Sequence, residues 1–386
     1  MTAIQRLTDP NYDEIFALSE FAFQYQMNEE ERSDKEKEAA RHRIFGYFVD
    51  EELAGKLHII PLEVFIQGVR YSMGGISSVA TWPEFRRQGV AKNLLKESLK
   101  DMKNKGETIS LLHPFNVGFY RKYGWELAFY RKRYTLPIEK LKDNWKTAGY
   151  VRKSQDVKAL LRIYEDYAKS YNGMLARDEL WWEQRVLTKS HAQIRVAYDP
   201  KGNEEAYIIY TIRKNILTVI DMAYRSNNGL HLMYEFLSNH DSMAEKVELT
   251  VPENDLLPLM LNDPAFSQIL EPYFMARIVD VKQFLQAYPF KGDNKTIVLE
   301  VTDDVLPEND GCYTIKTTNQ GATVTKIKQQ SGASISCSIQ QLTSLLLGFV
   351  RAPDVWKQEF IAGDESSVYL LDDMIPQQIP YFADFF

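Results

Sequence analysis

The sequence has few of the features that mark secreted, membrane or metal-binding proteins. Only two of its 386 residues are cysteines, Cys312 and Cys337. They could pair only with each other, and neither has metal-ligand spacing to a histidine, so we expect no metal site and a reducing cytoplasm. No apolar run approaches the roughly 20 residues of a membrane span. The first residues lack the apolar core of a signal peptide.

The chain also lacks an excess of positive charge. Its 46 Lys and Arg residues against 53 Asp and Glu residues give a formal net charge of −7. This balance argues against a nucleic acid or another polyanion as the main partner, and it suits a cationic substrate. An apolar fraction of 45% is typical of a soluble globular protein. The length predicts two or three domains.

One segment combines a strand, a turn and a helix in a way that suits an anion. A strand is predicted over residues 74–81, and apolar residues recur with helical period from Val90 onward. Free N–H groups at a helix start, with the positive end of the helix dipole, favour a pyrophosphate. Gly89 would let the phosphates approach the backbone, and Arg86 and Arg87 add positive charge.

The elements before this segment are predicted from periodicity. Residues 12–26 read as an amphipathic helix whose aromatic side chains lie mostly in the core. The charged stretch 28–43 predicts a solvated helix or a mobile lid, with a substrate-recognition patch as the alternative. Two antiparallel hairpins follow, the first pairing 44–49 with 53–60 and the second pairing 62–66 with 69–73.

A second motif follows the anion-binding segment. After a strand over residues 108–112, the run 116–126 predicts a short helix closed by Gly124, and a further strand ends at Tyr134. The pattern Arg-x-x-Gly-x-Ala at 86–91 and the run FYRKYGW at 119–125 resemble, in this order, two motifs of the GNAT superfamily of N-acetyltransferases.

The resemblance implies that the first domain binds acetyl-CoA. It implies that Tyr120 gives a proton to the departing CoA sulfur, with Tyr123 as the competitor one helical turn away. A tyrosine hydroxyl, with a pKa of about 10, can do this without being ionised at neutral pH. His113 could act as a base, but a lone histidine at a strand end is more often structural, so it is left outside the catalytic set. The expected coenzyme contacts are Val79, Ala80 and Thr81 for the pantetheine amide, Arg87, Gln88, Gly89, Val90, Ala91 and Lys92 for the pyrophosphate, and Phe115 and Asn116 beside the thioester.

Past residue 147 the pattern partly repeats. A helix capped by Ser154 is followed by predicted strands at 193–198, 205–212 and 216–223, a helix at 229–237 and a strand at 246–251. This order resembles a second, degenerate GNAT-like domain in which segment 224–230 has lost the coenzyme-binding pattern. Trp181 and Trp182 are predicted to pack in the core, with a cleft wall as the alternative.

The last hundred residues are rich in predicted strands, at 296–301, 312–317, 322–328 and 336–339, followed by a helix at 339–349. Segment 310–348 resembles a sterol carrier protein-like domain. We therefore expect an α+β protein with two GNAT-like domains of mixed, mostly antiparallel sheets, residues 1–147 and 148–287, and a third domain, 288–386. This layout resembles the Eis-like (enhanced intracellular survival) acetyltransferases.

The resemblance implies transfer of an acetyl group from acetyl-CoA to a primary amine of aminoglycoside, lysine or polyamine type, through a ternary complex in a homo-hexamer. Two alternatives stay open, a non-catalytic acyl-CoA or lipid-binding protein and a CoA-regulated scaffold. The residues do not specify which amine is the acceptor, because substrate pockets are set by loops and domain interfaces.

The end of the sequence is the candidate for the base. No Glu or His of the first domain stands out for this role, and the resemblance implies that the C-terminal carboxylate, on Phe386, takes the proton of the amine. Four of the last six residues are aromatic, so we expect the tail to dock in a groove. Asp384 is the rival anion in the same tail.

Overall fold

The computed structural model describes residues 2–142, 145–154, 156–188, 191–327 and 334–386. The strands of these residues are β1 (Thr2–Leu7), β2 (Arg43–Val49), β3 (Glu52–Ile66), β4 (Val69–Thr81), β5 (Ile109–Leu112), β6 (Glu126–Leu127), β7 (Tyr130–Pro137), β8 (Tyr150–Lys153), β9 (Gln193–Tyr198), β10 (Glu204–Arg213), β11 (Ile216–Tyr224), β12 (Lys246–Val251), β13 (Ser267–Pro272), β14 (Met275–Ile278), β15 (Thr296–Thr302), β16 (Gly311–Thr318), β17 (Gly321–Ile327), β18 (Ile335–Ser338) and β19 (Ala362–Gly363).

The helices accompany these strands in the alternating order that the sequence predicts. They are α1 (Tyr12–Phe23), α2 (Glu29–Ala39), α3 (Val90–Asn104), α4 (Val117–Arg121), α5 (Val157–Ala168), α6 (Glu179–Trp181), α7 (Asn227–Ser238), α8 (Leu257–Met260), α9 (Val281–Ala287), α10 (Ile339–Leu346), α11 (Ala352–Lys357) and α12 (Glu365–Met374). No helix of the described residues is long and apolar enough to cross a membrane. Both cysteines are buried and unpaired.

The first sheet has the strand order β1-β2-β3-β4-β5-β14-β6, and only β4 and β5 run parallel in it. Both predicted hairpins are present, but they share one strand. β3 is 15 residues long and pairs with β2 over its first half and with β4 from Gly55 to its end. The sheet is therefore more continuous than the predicted pair of separate hairpins.

The core assignment for α1 is only half right. Ile15 and Leu18 are buried, whereas Phe21 is 50% exposed and Tyr25, just past the helix, is 37% exposed. The reason is that this end of α1 does not pack on the sheet: Phe21 stacks near Trp82, and Tyr25 lines a cleft. The helical period identifies the apolar face of α1 correctly. It does not distinguish a face buried in the core from one that lines a cleft, because both carry apolar side chains.

The second sheet, β13-β7-β12-β11-β10-β9-β8, exchanges strands with the first. β7 lies in the sequence before residue 147 but pairs with β12 and β13, whereas β14 lies after it and inserts between β5 and β6 of the first sheet. The predicted boundaries at 147 and 287 thus divide the sequence but not the sheets. The exchange ties the two large sheets together.

The remaining elements follow the predicted order with small shifts. Asp156, not Ser154, caps α5, because its carboxylate accepts the N–H of Lys158 at 3.0 Å. The third sheet, β17-β16-β15-β18-β19, contains the strands predicted for the last domain. The predicted strand 322–328 corresponds to β17, and its last residue, Lys328, lies outside the described residues.

The C-terminal tail packs into a core shared by all three regions of the chain. The cluster joins residues of β3 and β4, of α5, of the third sheet, and the buried rings of Tyr381, Phe382 and Phe386. Asn172 holds the tail, because its N–H donates to Ile379 O at 2.9 Å and its carbonyl accepts the N–H of Tyr381 at 2.9 Å. The expected docking of the tail is confirmed for these residues.

Candidate active site

The turn before α3 has the backbone geometry of an anion-binding loop. Arg87 and Gly89 both adopt left-handed backbone angles, with φ of 64° and 81°. Successive N–H groups in such a turn point to one side, and the positive end of the α3 dipole adds to them. Gly89 is the N-terminal cap of α3, and a Cβ placed there would approach only the side chain of Asn93, at 3.7 Å. The loop therefore leaves room for a ligand.

A pocket of about 300 Å³ opens over this loop. Its walls are Thr81, Phe85, Arg86, Arg87, Gly89, Val90, Ala91, Lys92, Phe119 and Tyr123. Six residues assigned to the coenzyme from the sequence are among them, and Arg86, Arg87 and Lys92 give the rim three positive charges. Among residues 87–92 only Gln88 is absent from these walls, and its side-chain amide turns back to donate to the carbonyl of Glu84 at 2.9 Å.

The backbone of β4 becomes free where β5 ends. The parallel pairing of β4 and β5 stops at Ile76 and Leu112, while β4 continues for five more residues. Pairing with β3 shifts register between Lys56 and His58, and this bulge leaves Ser78 and Val79 without a partner residue. On the β5 side, the strand end can therefore offer N–H and C=O groups to a ligand.

A second, larger cavity of about 570 Å³ begins beside this strand end. It is lined by Phe16, Ser19, Phe23, Tyr25, Lys35, Glu38, Ala39, His42, His58, Ile76, Ser77, Ser78, Val79, His113, Pro114, Phe115, Tyr120, Arg185, Phe385 and Phe386. We call it the acceptor cleft. Thr81 lines the loop pocket and Val79 lines the acceptor cleft, so the end of β4 connects the two spaces.

Tyr120 lies in the wall of the acceptor cleft. Its ring packs edge-on against Phe115, Phe119 and Trp125, and the residue is 3% exposed. Burial raises the pKa of Tyr120, so the hydroxyl stays protonated at neutral pH. A thiolate formed in the same buried surroundings would also become more basic, which offsets the weaker acidity of the buried hydroxyl.

Tyr123, the competing tyrosine, faces the other space. It lines the loop pocket and is absent from the walls of the acceptor cleft. The two tyrosines lie on α4 and the turn that follows it, and this turn points their side chains to different cavities. The geometry therefore favours Tyr120 as the proton donor next to the acceptor.

The last residue of the sequence reaches the acceptor cleft. The ring of Phe386 packs against Trp181, Phe274 and Phe382, with centroid separations of 6.3, 5.1 and 5.9 Å. Gly75 of β4 makes room for it, because a Cβ on Gly75 would lie 2.8 Å from Cε2 of Phe386. The end of the chain is thus held beside the strand that carries Val79.

Asp384, the rival anion of the tail, forms buried interactions inside the protein. Its carboxylate accepts the Nε–H of Arg177 at 3.0 Å and the indole N–H of Trp181 at 2.9 Å, and it does not line the acceptor cleft. Burial raises the pKa of Asp384, and Arg177 opposes this. Arg177 also bonds Asp221 at 2.7 Å. This buried ion-pair cluster anchors the tail, and the sequence carried no signal for Arg177.

The other residues predicted to contact the coenzyme lie outside the walls of the loop pocket. Phe115 lines the acceptor cleft, and its place beside the thioester remains a prediction. Ala80 is buried and lines neither cavity, and Asn116 uses its side chain to cap α4, accepting the N–H of Phe119 at 2.9 Å. Both remain predictions as ligand contacts through their backbone groups. Trp181 and Trp182 are buried as predicted, and Trp181 additionally supports the tail.

Three basic side chains form a continuous contact from the sheet to the acceptor cleft. Nζ of Lys56 lies 3.2 Å from Nε2 of His58, and Nδ1 of His58 lies 3.3 Å from Nδ1 of His42. Burial lowers the pKa of His58 well below its ordinary value, and burial together with nearby cations lowers the pKa of His42 to about 3. Both histidines are therefore neutral at pH 7. No group of three or more potential metal ligands occurs among the described residues.

These two histidines make stability depend on pH. Their folded pKa values lie below the unfolded value of about 6.5, so the unfolded chain binds more protons below that pH. We expect the free energy of unfolding to fall by about 1.4 kcal/mol per pH unit and per histidine as pH decreases from 6.5 toward 4. Urea unfolding at several pH values measures this. The slope should be smaller in His42→Gln, and an unchanged slope would contradict the assignment.

Comparison with known proteins shows the same three-part division of the chain. Residues 3–128 and 173–278 each match a model of an acetyltransferase (GNAT) domain, and residues 281–383 match a sterol carrier protein domain. The three ranges follow one another along the sequence, although β7 and β14 exchange places between the first two sheets. The predicted α+β fold class, two GNAT-like domains followed by a sterol carrier protein-like domain, is confirmed.

Relatives with curated names share the same class of activity. The chain is 23% identical to the N-acetyltransferase Eis of Mycobacterium tuberculosis (strain ATCC 25177 / H37Ra), over 78% of this chain and 77% of the relative. It is also 23% identical to an uncharacterised N-acetyltransferase of Streptomyces griseus, over 73% of this chain and 74% of that protein.

Solved structures resemble the whole chain. A probable N-acyltransferase from Enterococcus faecalis V583 superposes with a TM-score of 0.94 at 28% identity, covering 100% of both chains. Eis1 from Mycobacterium abscessus has a TM-score of 0.82 at 20% identity, again over 100% of both chains, and at this identity it shows the fold alone.

Proposed function

Since the chain belongs to the Eis-like N-acetyltransferases of the GNAT superfamily, we propose that it moves the acetyl group of acetyl-CoA to a primary amine bound in the acceptor cleft. The observation that carries this proposal is the meeting of two cavities at the end of β4. One has a cationic loop suited to a pyrophosphate, and the other holds Tyr120 and the end of the chain.

The loop pocket fits the coenzyme in shape and charge. GNAT enzymes use acetyl-CoA, and the turn with Arg87 and Gly89 in left-handed conformations presents N–H groups and three cationic side chains toward one space. The end of β4, which has no strand beside it on the β5 side, suits the amides of a pantetheine arm, in which case the thioester lies at Val79. We therefore assign Val79, Ala80, Thr81, Phe115 and Asn116 to that arm and residues 87–92 to the pyrophosphate.

The proposed reaction proceeds through a ternary complex of enzyme, acetyl-CoA and amine. The neutral amine nitrogen attacks the thioester carbonyl carbon, a C–N bond forms, and the C–S bond breaks. Tyr120 gives its hydroxyl proton to the leaving sulfur, and the carboxylate of Phe386 takes the proton that the amine loses, directly or through one water. The products are an acetamide and CoA, and proton exchange with solvent restores both groups.

The acceptor is proposed to be a primary amine of lysine, polyamine or aminoglycoside type. The cleft places aromatic walls, among them Phe16, Tyr25 and Phe115, around a space open enough for a side chain or a small molecule. The resemblance also supports a homo-hexamer, which light scattering of the purified protein measures.

A thiol-release assay tests the proposed function. Purified protein is given acetyl-CoA and a panel of lysine derivatives, polyamines and aminoglycosides, and free CoA and the acetylated product are both quantified. Product with at least one amine supports the transferase. Tight binding of CoA without product from any amine would contradict it and would favour the acyl-CoA-binding alternative.

Replacing Gly89 by tryptophan should weaken the coenzyme site without reaching the acceptor cleft. Bulk at this position would meet the phosphates, and loss of charged hydrogen bonds corresponds to a rise in KM for acetyl-CoA of about tenfold or more. Gly89→Ala is the control, because it carries the same backbone strain at φ of 81° with little bulk. Equal KM values for the two folded variants would contradict the loop assignment.

A further inference from the structure

Lys56 is a buried lysine that contacts two residues of the acceptor cleft wall, His58 and Ser78, and no carboxylate pairs with it in the part of the chain that the structure describes. It is 0% exposed, in the middle of β3, and its ammonium donates to Ser78 Oγ at 2.6 Å, to Ser78 O at 3.2 Å and to His58 Nε2 at 3.2 Å. Gly46 and Ala80, which oppose it in the neighbouring strands, carry no charge. A buried ammonium is costly unless it is fully hydrogen-bonded, so its retention requires a reason.

The other charged groups near this contact lie beyond His58. The ring of His42 contacts the ring of His58, and the cations Lys35, Arg41 and Arg185 lie near His42. The carboxylate of Glu38 bridges Lys35 and Arg185, at 2.9 and 3.0 Å. Among the hydrogen bonds of the described residues, none joins Lys56 to a carboxylate. The positive charge of Lys56 therefore acts on the three groups that accept its hydrogen bonds.

One acceptor is the carbonyl of the peptide group that joins Ser78 and Val79. Ser78 is in the β4 bulge with φ of 52°, so this peptide group does not pair in register with either neighbouring strand. A cation on the carbonyl oxygen polarises the peptide and strengthens its N–H as a donor. That N–H belongs to Val79, which lines the acceptor cleft beside the proposed thioester.

We propose that Lys56 is a positioning residue for acetyl transfer, which fixes the β4 bulge and, through the Ser78–Val79 peptide group, strengthens the Val79 N–H toward the thioester oxygen. This inference rests on the proposed function. Negative charge develops on that oxygen as the amine attacks, so a stronger donor lowers the barrier more than it strengthens ground-state binding. In this arrangement the ammonium of Lys56 does not contact the substrate. The acceptor cleft therefore gains no further positive charge beside the amine.

Two variants remove the charge. Lys56→Met leaves an apolar chain of similar length, and Lys56→Gln retains a hydrogen-bond donor without the charge. The matched control is Lys103→Met, which removes a partly buried lysine whose ammonium contacts Asn309 Oδ1 at 3.2 Å, away from both cavities. We expect kcat to fall about tenfold in both Lys56 variants, less than the ~10²–10³-fold of deleting an oxyanion donor. KM for acetyl-CoA should change less than twofold.

The carbonyl stretch of acetyl-CoA labelled with ¹³C at the acetyl carbonyl distinguishes polarisation from a structural role. In the binary complex, isotope-edited infrared spectra should show the band at higher wavenumber in Lys56→Met and Lys56→Gln than in the wild type and in Lys103→Met. Burial lowers the pKa of Lys56 to about 7. The wild-type band should therefore move to higher wavenumber as pH rises through 7, and the bands of the variants should not.

The outcomes separate this inference from the function itself. A slower reaction with an unmoved carbonyl band would overturn the inference and would favour proton transfer along Lys56, His58 and His42. Unchanged kcat and unchanged spectra in a folded variant would also overturn it. A wild-type protein that binds acetyl-CoA but acetylates no amine would contradict the proposed function, and the infrared shift in the binary complex would still test the role of Lys56.

Discussion

The variant Tyr120→Phe is expected to lower kcat by about 10²-fold or more, the usual scale for a positioned proton donor. Phenylalanine keeps the ring contacts with Phe115, Phe119 and Trp125, so the wall of the cleft should be preserved. Only the hydroxyl is lost, and the departing sulfur must then leave as a thiolate. Steady-state kinetics with acetyl-CoA and the best amine of the panel measure the effect.

Tyr123→Phe is the matched control, because Tyr123 lies three residues on but faces the loop pocket. It should change KM for acetyl-CoA more than kcat. The affinity of the Tyr120→Phe variant for CoA should equal that of the wild type in a calorimetric titration. If Tyr123→Phe is the variant that loses turnover, the proton donor has been placed one helical turn too early.

Changing the end of the chain should have an effect of comparable size. Deleting Phe385 and Phe386, or adding two glycines after Phe386, should abolish most turnover while acetyl-CoA still binds. Each added residue moves the carboxylate by up to about 3.8 Å, beyond the reach of a hydrogen bond. The loss of a positioned base corresponds to about 10²–10⁴-fold in kcat. Acetylation assays and CoA titrations on the same preparations measure the two effects.

The same two glycines placed before Met1 are the control for the extension. Asp384→Asn separates the two anions of the tail. It should keep most of the activity but lower the melting temperature, because the buried Arg177 loses one of its two carboxylate partners. A protein with two extra C-terminal residues that acetylates at the native rate would remove the Phe386 carboxylate from the mechanism.

Local pattern was sufficient for much of the fold. Strand alternation placed β9, β11 and β12 within about one residue of their observed ends, and helical period placed the start of α3 at Val90, because each of these elements buries a continuous face. The loop at Gly89 was also predictable, since its geometry depends only on a strand end, a glycine and a helix start. The terminal aromatic run predicted a docked tail for the same reason, the large apolar area that it would otherwise expose.

Local sequence patterns do not predict which distant residues pair. The exchange of β7 and β14 between the two sheets depends on long-range register, which the sequence around each strand does not encode. Phe21 and Tyr25 have the period of a core face, but Phe21 lies against Trp82 and stays half exposed, and Tyr25 forms part of the wall of a cleft.

The residues of the candidate site divide in the same way. The sequence by itself determined the family, and it predicted the anion-binding loop and the pair of tyrosines, since these are short motifs with fixed spacing. Only the tertiary structure decided that Tyr120 lines the acceptor cleft, that Asp384 forms an ion pair with Arg177, and that Lys56 reaches the carbonyl of Ser78. The physical reason is that the direction of a side chain, and the burial and partners that set its charge, depend on chain segments far away in the sequence.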